Sequence, residues 1–158
     1  MQGDDEEVED VGQPAITTRW VLTEKMLDEK NVVKARLVAR GFEEDTSDIR
    51  TDSPTVSKES IRLVSAIAVA ESWTIHSLDV TAAFLQGFAI DCEVFLVPPS
   101  ETNSNDVLWK LKKPVYGLSD ASRVWYLKAS EEIKSTGAQC STFDSALFYL
   151  RDGSNLHG

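Results

Sequence analysis

Residues 32–40 alternate between two kinds of side chain, and this pattern constrains the fold more than any other feature of the sequence. Basic side chains recur on the even-numbered positions, at Lys34, Arg36 and Arg40, while the odd-numbered positions from 33 to 39 are all apolar. A period of two places the bases on one face of a strand and the apolar groups on the other. Gly41 ends the pattern, and a strand beginning at 19–22 precedes it across a polar turn at 28–31. The pattern therefore predicts a β-hairpin.

The rest of the chain predicts helices and strands in an order that does not alternate regularly. Helices are expected from Ser57, a good N-cap with Glu59 in the first turn, to about 72, and from 119 to 136 with Gly137 as C-cap. Further strands are expected at 73–80, 93–97, 109–113 and 146–150, with a short helical turn at 81–86. A doubly wound fold would alternate strands and helices. We therefore predict an α+β fold with helices on one face of an antiparallel sheet.

Charge is distributed unevenly along the 158 residues. The formal net charge is −10, but six of the 26 acidic residues fall within residues 1–12, which contain no base. Such a charge density cannot be buried in a core. We predict a disordered acidic lead-in over 1–16 and a folded part over 17–158.

Several protein classes are excluded at this stage. The two cysteines, Cys92 and Cys140, lie far apart without a CxxC motif, which argues against a zinc site or a disulfide scaffold. The acidic N-terminus is the opposite of a signal peptide, and the longest apolar run, 63–70, is too short to span a bilayer. We expect an intracellular chain, cytoplasmic or nuclear, with no membrane partner and not secreted. His76 and Asp79 would point to opposite faces of a strand, so a hydrolase is not favoured.

Three features could carry chemistry, and each also has a simpler interpretation. The basic strand face suits a polyanion such as a triphosphate or a nucleic-acid backbone, but a solvated hairpin face would look the same. Asp79 could hold a divalent cation, or could cap the helical turn that follows it. The turn at Gly117 joins a lysine-rich strand to a helix that carries Arg123, and could be an ordinary connection.

Taken in order, six motifs resemble the reverse transcriptases of copia-type retrotransposons. The similarity runs from about Trp20 to Phe148. The motifs are KARLVARGF (34–42), SPTV (53–56), LDVTAAFLQG (78–87), EVFLVPP (93–99), WKLKKPVYGLSDASRVWY (109–126) and FDSALF (143–148). The resemblance implies a right-hand polymerase, with fingers from the first hairpin and a partial palm built on a ferredoxin-like antiparallel sheet.

The resemblance also implies a role for individual residues around the reacting phosphates. Lys34 and Arg36 would clamp the triphosphate of the incoming nucleotide. Asp79 would be the first catalytic carboxylate and a metal ligand, and the backbone carbonyl of Val80 would complete the metal shell. In the family, two Mg²⁺ ions about 3.5–4 Å apart activate the primer oxygen and stabilise the leaving pyrophosphate.

Further roles implied by the resemblance concern the sugar, the base and the nucleic acid. Phe84 would stack under the sugar and exclude a 2′-hydroxyl. Tyr116 and Gly117 would lie beside the nascent base pair, and Arg40 and Arg123 would contact nucleic acid. The expected partners are an RNA or DNA template-primer and deoxynucleoside triphosphates.

The sequence departs from the family in its carboxylates. The family's other two metal ligands are adjacent aspartates downstream of FDSALF, whereas the only Asp-Asp pair here is Asp4-Asp5. We therefore expect 17–158 to be fingers and a partial palm truncated before the catalytic hairpin, and inactive alone. Acids at 43, 44 and 120 stand where the family tends to place other residues, including bases. Two alternatives remain open: a non-catalytic remnant that binds nucleic acid or nucleotide through Lys34, Arg36 and Arg40, and a piece that binds a protein partner or does not fold stably.

Overall fold

The computed structural model describes residues 6–9, 12, 14–27, 29–90, 92–102, 107–153 and 155–157. Within these residues the chain forms eight strands, two α-helices and three short 3-10 turns at Gly41–Glu43, Ala83–Gln86 and Ser100–Thr102. The strands are β1 (Glu6–Glu9), β2 (Ile16–Leu27), β3 (Lys30–Ala39), β4 (Phe95–Val97), β5 (Val107–Lys110), β6 (Gln139–Cys140), β7 (Phe148–Asp152) and β8 (Asn155–His157). The helices are α1 (Lys58–Ala70) and α2 (Ala121–Ser135).

The main sheet has five strands in the order β1-β5-β4-β2-β3, and a second sheet has the order β6-β7-β8. The predicted mixture of helices and strands is confirmed, but the main sheet is mixed rather than antiparallel, because β2 and β4 run parallel. Parallel neighbours need a long crossover between them. Here β3, α1 and the segment that follows it provide that crossover before the chain returns as β4. The ferredoxin-like arrangement of the sheet stays a prediction.

The predicted hairpin is confirmed and is longer than expected. β2 and β3 pair antiparallel without interruption from Thr18 opposite Ala39 to Leu27 opposite Lys30. The apolar Trp20 and Leu37 lie directly opposite each other, as do Val21 and Arg36. The period-two pattern therefore separates the bases from the apolar side chains as the sequence indicated.

The predicted strand at 73–80 is wrong, since this segment has no regular secondary structure. Its apolar side chains are exposed, with Ile75 at 65% and Leu78 at 94%. A strand satisfies its backbone groups through a neighbouring strand, and none of the strands in the described ranges pairs with this segment. The alternation of apolar and polar residues was therefore not enough to form a strand at 73–80.

Both chain ends depart from the sequence prediction. Residues 6–9, expected to be disordered, form β1, which pairs antiparallel with β5 and places Glu6 opposite Lys110. Backbone pairing on a sheet edge leaves acidic side chains in solvent, so it does not require the charges to be buried. Ile16 is buried and belongs to the core, while residues 1–5, 10, 11 and 13 lie outside the described residues. At the other end a strand was predicted at 146–150, but β7 begins at Phe148 and continues to Asp152, and β8 pairs with it.

The two helices are confirmed with their predicted caps. The Ser57 side chain accepts a hydrogen bond from the Ser60 amide at 3.1 Å and so caps α1, which has Glu59 in its first turn. Gly137 follows α2 with a φ of +94°, the left-handed conformation that glycine adopts at helix ends. In the described part of the chain, neither helix is long and apolar enough to cross a membrane.

The core lies where the start of β2, the end of β3 and β4 come together against the segment that leads into α2. Its buried members are Ile16, Ala39, Leu96, Leu111, Val115, Leu118 and Ala121. Phe84, Leu85 and Trp109 pack against them from the side. This cluster fixes the 115–118 segment against the hairpin, and the candidate site lies at this junction.

Candidate functional site

A cavity of about 370 Å³ lies where the hairpin meets the segment before α2. Its walls come from four separate parts of the chain, and its lining residues are Trp20, Lys34, Ala35, Arg36, Leu37, Thr81, Ala82, Leu85, Val115 and Tyr116. The cavity therefore brings together three of the predicted site residues, Lys34, Arg36 and Tyr116, which are far apart in sequence.

The turn at Tyr116 and Gly117 is fixed directly against the end of β3. The Ala39 amide donates a hydrogen bond to the Tyr116 carbonyl at 2.8 Å. Gly117 has a φ of +98°, and a Cβ added to it would lie 2.0 Å from the Ala39 carbonyl oxygen. A Cβ on Gly41 would lie 2.0 Å from the Gly117 carbonyl oxygen. Two glycines therefore allow the backbones to approach closely enough to form the cavity wall.

Phe84 supports this wall from behind. It lies in the 3-10 turn Ala83–Gln86, and its ring centroid is 4.8 Å from that of Tyr116 with an interplanar angle of 58°. Tilted rings at this separation attract one another. Phe84 does not itself line the cavity, whereas its neighbours Ala82 and Leu85 do. In this structure Phe84 positions Tyr116.

Asp79 and Val80 lie just before the cavity-lining residues Thr81 and Ala82, and both are exposed. Asp79 forms no hydrogen bond or ion pair with any residue in the described ranges. In those same ranges, no group of three or more His, Cys, Asp or Glu side chains is arranged to hold a metal ion. A single exposed carboxylate does not fit the two-metal centre that the family resemblance implies.

Arg40 lies at the opposite end of β3 from the hairpin turn and is exposed. Its amide donates to the Thr17 carbonyl at 2.9 Å. The carboxylate of Glu43 accepts hydrogen bonds from the Thr17 amide and hydroxyl. These bonds, and then the nearby Arg40 charge, lower the pKa of Glu43. A negative charge therefore lies near Arg40, at one end of the basic face.

Arg123 is engaged in contacts within the chain. Its Nη1 donates to the Asp52 carboxylate at 2.7 Å and to the Asp52 carbonyl at 3.1 Å. Arg50 also binds this carboxylate, and its hydrogen bond is the main reason that the pKa of Asp52 is lowered, ahead of the Arg123 charge. For Arg123 to contact nucleic acid as predicted, its ion pair with Asp52 would have to break, or the guanidinium would have to bind the carboxylate and the nucleic acid together.

The acids that depart from the family pattern have structural roles. A Glu44 carboxylate oxygen accepts a hydrogen bond from the Ser119 amide at 3.0 Å, which ties the segment after β3 to the start of α2. Asp120 precedes α2, and partial burial, followed by the negative charge of Glu44, raises its pKa. Glu44 therefore links two segments behind the candidate site, whereas Asp120 lies beside a like charge.

Sequence reasoning missed Trp20 and Leu85 as cavity residues. Trp20 is 41% exposed, which is unusual for so large an apolar side chain, and it lies opposite Leu37 in the hairpin. The hairpin register places Trp20 opposite Leu37, on the face away from the predicted bases, so the alternation of bases did not point to it. Leu85 could not be predicted from the hairpin register either, because its position depends on the 3-10 turn Ala83–Gln86.

Comparisons with known proteins agree with the motifs. The model of the reverse transcriptase (RNA-dependent DNA polymerase) family matches residues 9–156. A retrovirus-related Pol polyprotein from transposon RE2 of Arabidopsis thaliana is 36% identical over 153 residues, which cover 90% of this chain and 10% of that protein. The corresponding polyprotein from transposon TNT 1-94 of Nicotiana tabacum is 31% identical over 153 residues, covering 91% and 11%. No solved structure matches the chain significantly.

The chain belongs to the reverse transcriptase (RNA-dependent DNA polymerase) family, in which it is a copia-type fragment. It corresponds to a reverse transcriptase segment of retrotransposon Pol polyproteins, and it spans about a tenth of the length of the two plant polyproteins.

Proposed function

We propose that residues 17–158 are the fingers and part of the palm of the polymerase, and that the cavity beside β3 binds the incoming deoxynucleoside triphosphate. In this proposal the whole polymerase copies an RNA or DNA template by two-metal phosphoryl transfer. The observation that carries the proposal is the cavity lined by Lys34, Arg36 and Tyr116.

The chemistry of the cavity walls supports a nucleotide. Lys34 and Arg36 contribute two cationic side chains, and Arg can bind phosphate oxygens in a bidentate manner. Trp20 and Tyr116 supply aromatic surface for the base or the sugar. A ligand that combines several negative charges with a flat apolar ring matches both kinds of wall. The volume of about 370 Å³ lies within the usual range for small-molecule sites.

Asp79 has one role in the proposal, as a ligand of a metal ion. Its carboxylate and the Val80 carbonyl would hold one Mg²⁺, which supplies positive charge for the phosphate oxygens when bound. Along the chain, Asp79 comes two residues before Thr81, which lines the cavity. The remaining carboxylates of a two-metal centre would have to come from outside the described residues.

Equilibrium binding of a fluorescent deoxynucleoside triphosphate tests the proposal. The double variant Lys34→Ala/Arg36→Ala is expected to bind about tenfold more weakly or worse, because it loses two charge-assisted contacts with phosphate. Lys25→Ala/Lys30→Ala is the matched control, since it removes the same charge from the same hairpin outside the cavity. Equal losses in the two double variants would indicate general electrostatic attraction and would contradict the proposed site.

Catalysis is proposed to be absent from the 158 residues alone. A primer-extension assay with Mg²⁺ is expected to give no templated product, because in the described ranges no group of three or more His, Cys, Asp or Glu side chains is arranged to hold a metal ion. Extension that is lost in Asp79→Ala would overturn this part of the proposal. That result would not contradict the proposed nucleotide site.

A further inference from the structure

β3 is an edge strand of the main sheet, and one side of its backbone is open over part of its length. The Arg40 amide donates to Thr17 on the β2 side, whereas the Ala39 amide donates to Tyr116 on the opposite side. In an antiparallel pair, successive residues direct their N–H and C=O groups alternately toward and away from the partner. The continuous register therefore directs the backbone groups of Ala35 and Leu37 away from β2.

These open backbone groups face the cavity. Ala35 and Leu37 both line it, and in the described part of the chain no group forms a hydrogen bond with their amides. Tyr116 already pairs with β3 at Ala39, so the edge is occupied at one end and open beside it. A row of unpaired N–H and C=O groups is a template for an added strand. A phosphate group would match the N–H groups but would be repelled by the carbonyls in the same row.

The two faces of β3 at this edge have different chemistry. Lys34 and Arg36 lie on one face, and Ala35 and Leu37 lie on the other. The apolar face continues on β2 with Trp20, 41% exposed, and Leu22, 66% exposed. An added strand would direct its own side chains alternately to these two faces. A strand that matches both faces therefore has a sequence in which acidic and apolar residues alternate.

The opposite edge of the same sheet is already extended by an acidic segment. β1 pairs with β5 and places Glu6 opposite Lys110 and Val8 opposite Leu108, which is buried. The sheet therefore already accepts an acidic strand at its other edge, although there Glu7 and Glu9 lie opposite the apolar Trp109 and Val107.

We propose that the edge of β3 at Ala35 and Leu37 is a docking site for an extended segment of another polypeptide, in which acidic and apolar residues alternate. The segment adds to the sheet as a further strand. Its acidic side chains lie beside Lys34 and Arg36, and its apolar side chains lie beside Leu37. It occupies the same cavity as the proposed nucleotide, so the two ligands exclude one another. Peptide binding is measured without nucleotide, so this inference does not depend on the proposed function.

The test uses a fluorescently labelled seven-residue peptide in which glutamate and valine alternate, beginning and ending with glutamate. A peptide with lysine in place of each glutamate is the charge control and is expected to bind about tenfold more weakly or worse. Two further peptides carry N-methyl groups on alternate amides, one on the odd positions and one on the even positions. Each blocks hydrogen bonding along one edge of the peptide and leaves the protein unchanged.

One of the two N-methylated peptides is expected to lose about tenfold in affinity or more, because edge pairing uses the amides of one peptide edge only. The other is expected to bind like the unmethylated peptide, and the identity of the weaker one gives the strand direction. The proposal would be overturned if the unmethylated peptide and both N-methylated peptides bound equally. It would also be overturned if the lysine peptide bound as tightly as the glutamate peptide. Failure to bind at all would overturn it without bearing on nucleotide binding.

A variant of the protein gives an independent test. Leu37→Pro removes an amide that points toward the cavity and spares the amides that pair with β2. Asn31→Pro is the matched control, because its amide also points to the free edge but lies outside the cavity. Loss of peptide binding in Leu37→Pro alone is expected. Loss in both variants while both retain the wild-type circular dichroism spectrum would contradict the location.

Discussion

At the scale of single residues, Gly117 and Gly41 determine whether the cavity wall can form. Each lies where an added Cβ would come within 2.0 Å of a backbone oxygen on the facing segment. The facing segments are more than 70 residues apart in the chain, so the sequence indicates that glycines are present but not that they face each other. The role of Gly117 beside the nascent base pair stays a prediction, while Gly41 was expected only to end a strand.

Gly117→Ala is predicted to destabilise the fold more than Gly137→Ala. Both glycines have a positive φ, at +98° and +94°, so each substitution carries a backbone cost of about 1 kcal/mol. Only Gly117 adds a steric clash, since the nearest atom to a Cβ at Gly137 is 3.8 Å away. Urea unfolding of the two variants measures the difference. Equal losses of unfolding free energy would show that the close approach at Gly117 does not occur.

At the scale of elements, Asp144 clamps the start of α1 to the segment before β7. Its carboxylate accepts hydrogen bonds from the Ser60 hydroxyl at 2.6 Å, the Ser57 amide at 2.9 Å and the Ala146 amide at 3.0 Å. Chiefly through the Ser60 hydroxyl, these bonds lower the pKa of Asp144 from an ordinary 3.8 to about 2. This clamp joins two elements that are far apart in sequence.

The clamp predicts a dependence of stability on acid pH. A carboxyl with a lower pKa in the folded state contributes stability that is complete above its unfolded pKa and is lost as the pH falls from 3.8 to about 2. Urea unfolding across that range should show a smaller loss for Asp144→Asn and for Ser60→Ala than for the wild type. Ser65→Ala is the control, because the Ser65 hydroxyl donates to Ile61 within α1. If the wild type and Asp144→Asn lost stability in parallel, the clamp would be ruled out.

Elements with a strong local signal were predictable from the sequence, and elements that depend on distant partners were not. The alternation through Lys34 and Arg36 predicted the hairpin, and the Ser57 cap predicted α1, because both signals lie within a few residues. The alternation at 73–80 gave no strand, since a strand also needs a neighbour to pair with. The acidic charge of residues 6–9 predicted disorder, but their pairing with β5 depends on backbone groups that composition does not reveal.

At the scale of the whole molecule, the candidate site is assembled from segments that meet only in the fold. The motifs indicated the nucleotide-binding role of Lys34, Arg36 and Tyr116 by resemblance, and the structure places all three around one cavity. Their roles stay predictions. Trp20 and Leu85 complete the lining, and their contribution depends on the hairpin register and on the 3-10 turn at Ala83–Gln86.

Localising a bound deoxynucleoside triphosphate by NMR tests the central claim most directly. Titration into the isotope-labelled chain should shift the amide signals of 34–37, 81–82 and 115–116, because these residues line the cavity. A second cavity, lined by Ala15, Glu44 and Val94 among others, serves as an internal control and should remain unchanged. Shifts confined to that second cavity, or the absence of any shift at saturating nucleotide, would contradict the assignment of the site beside β3.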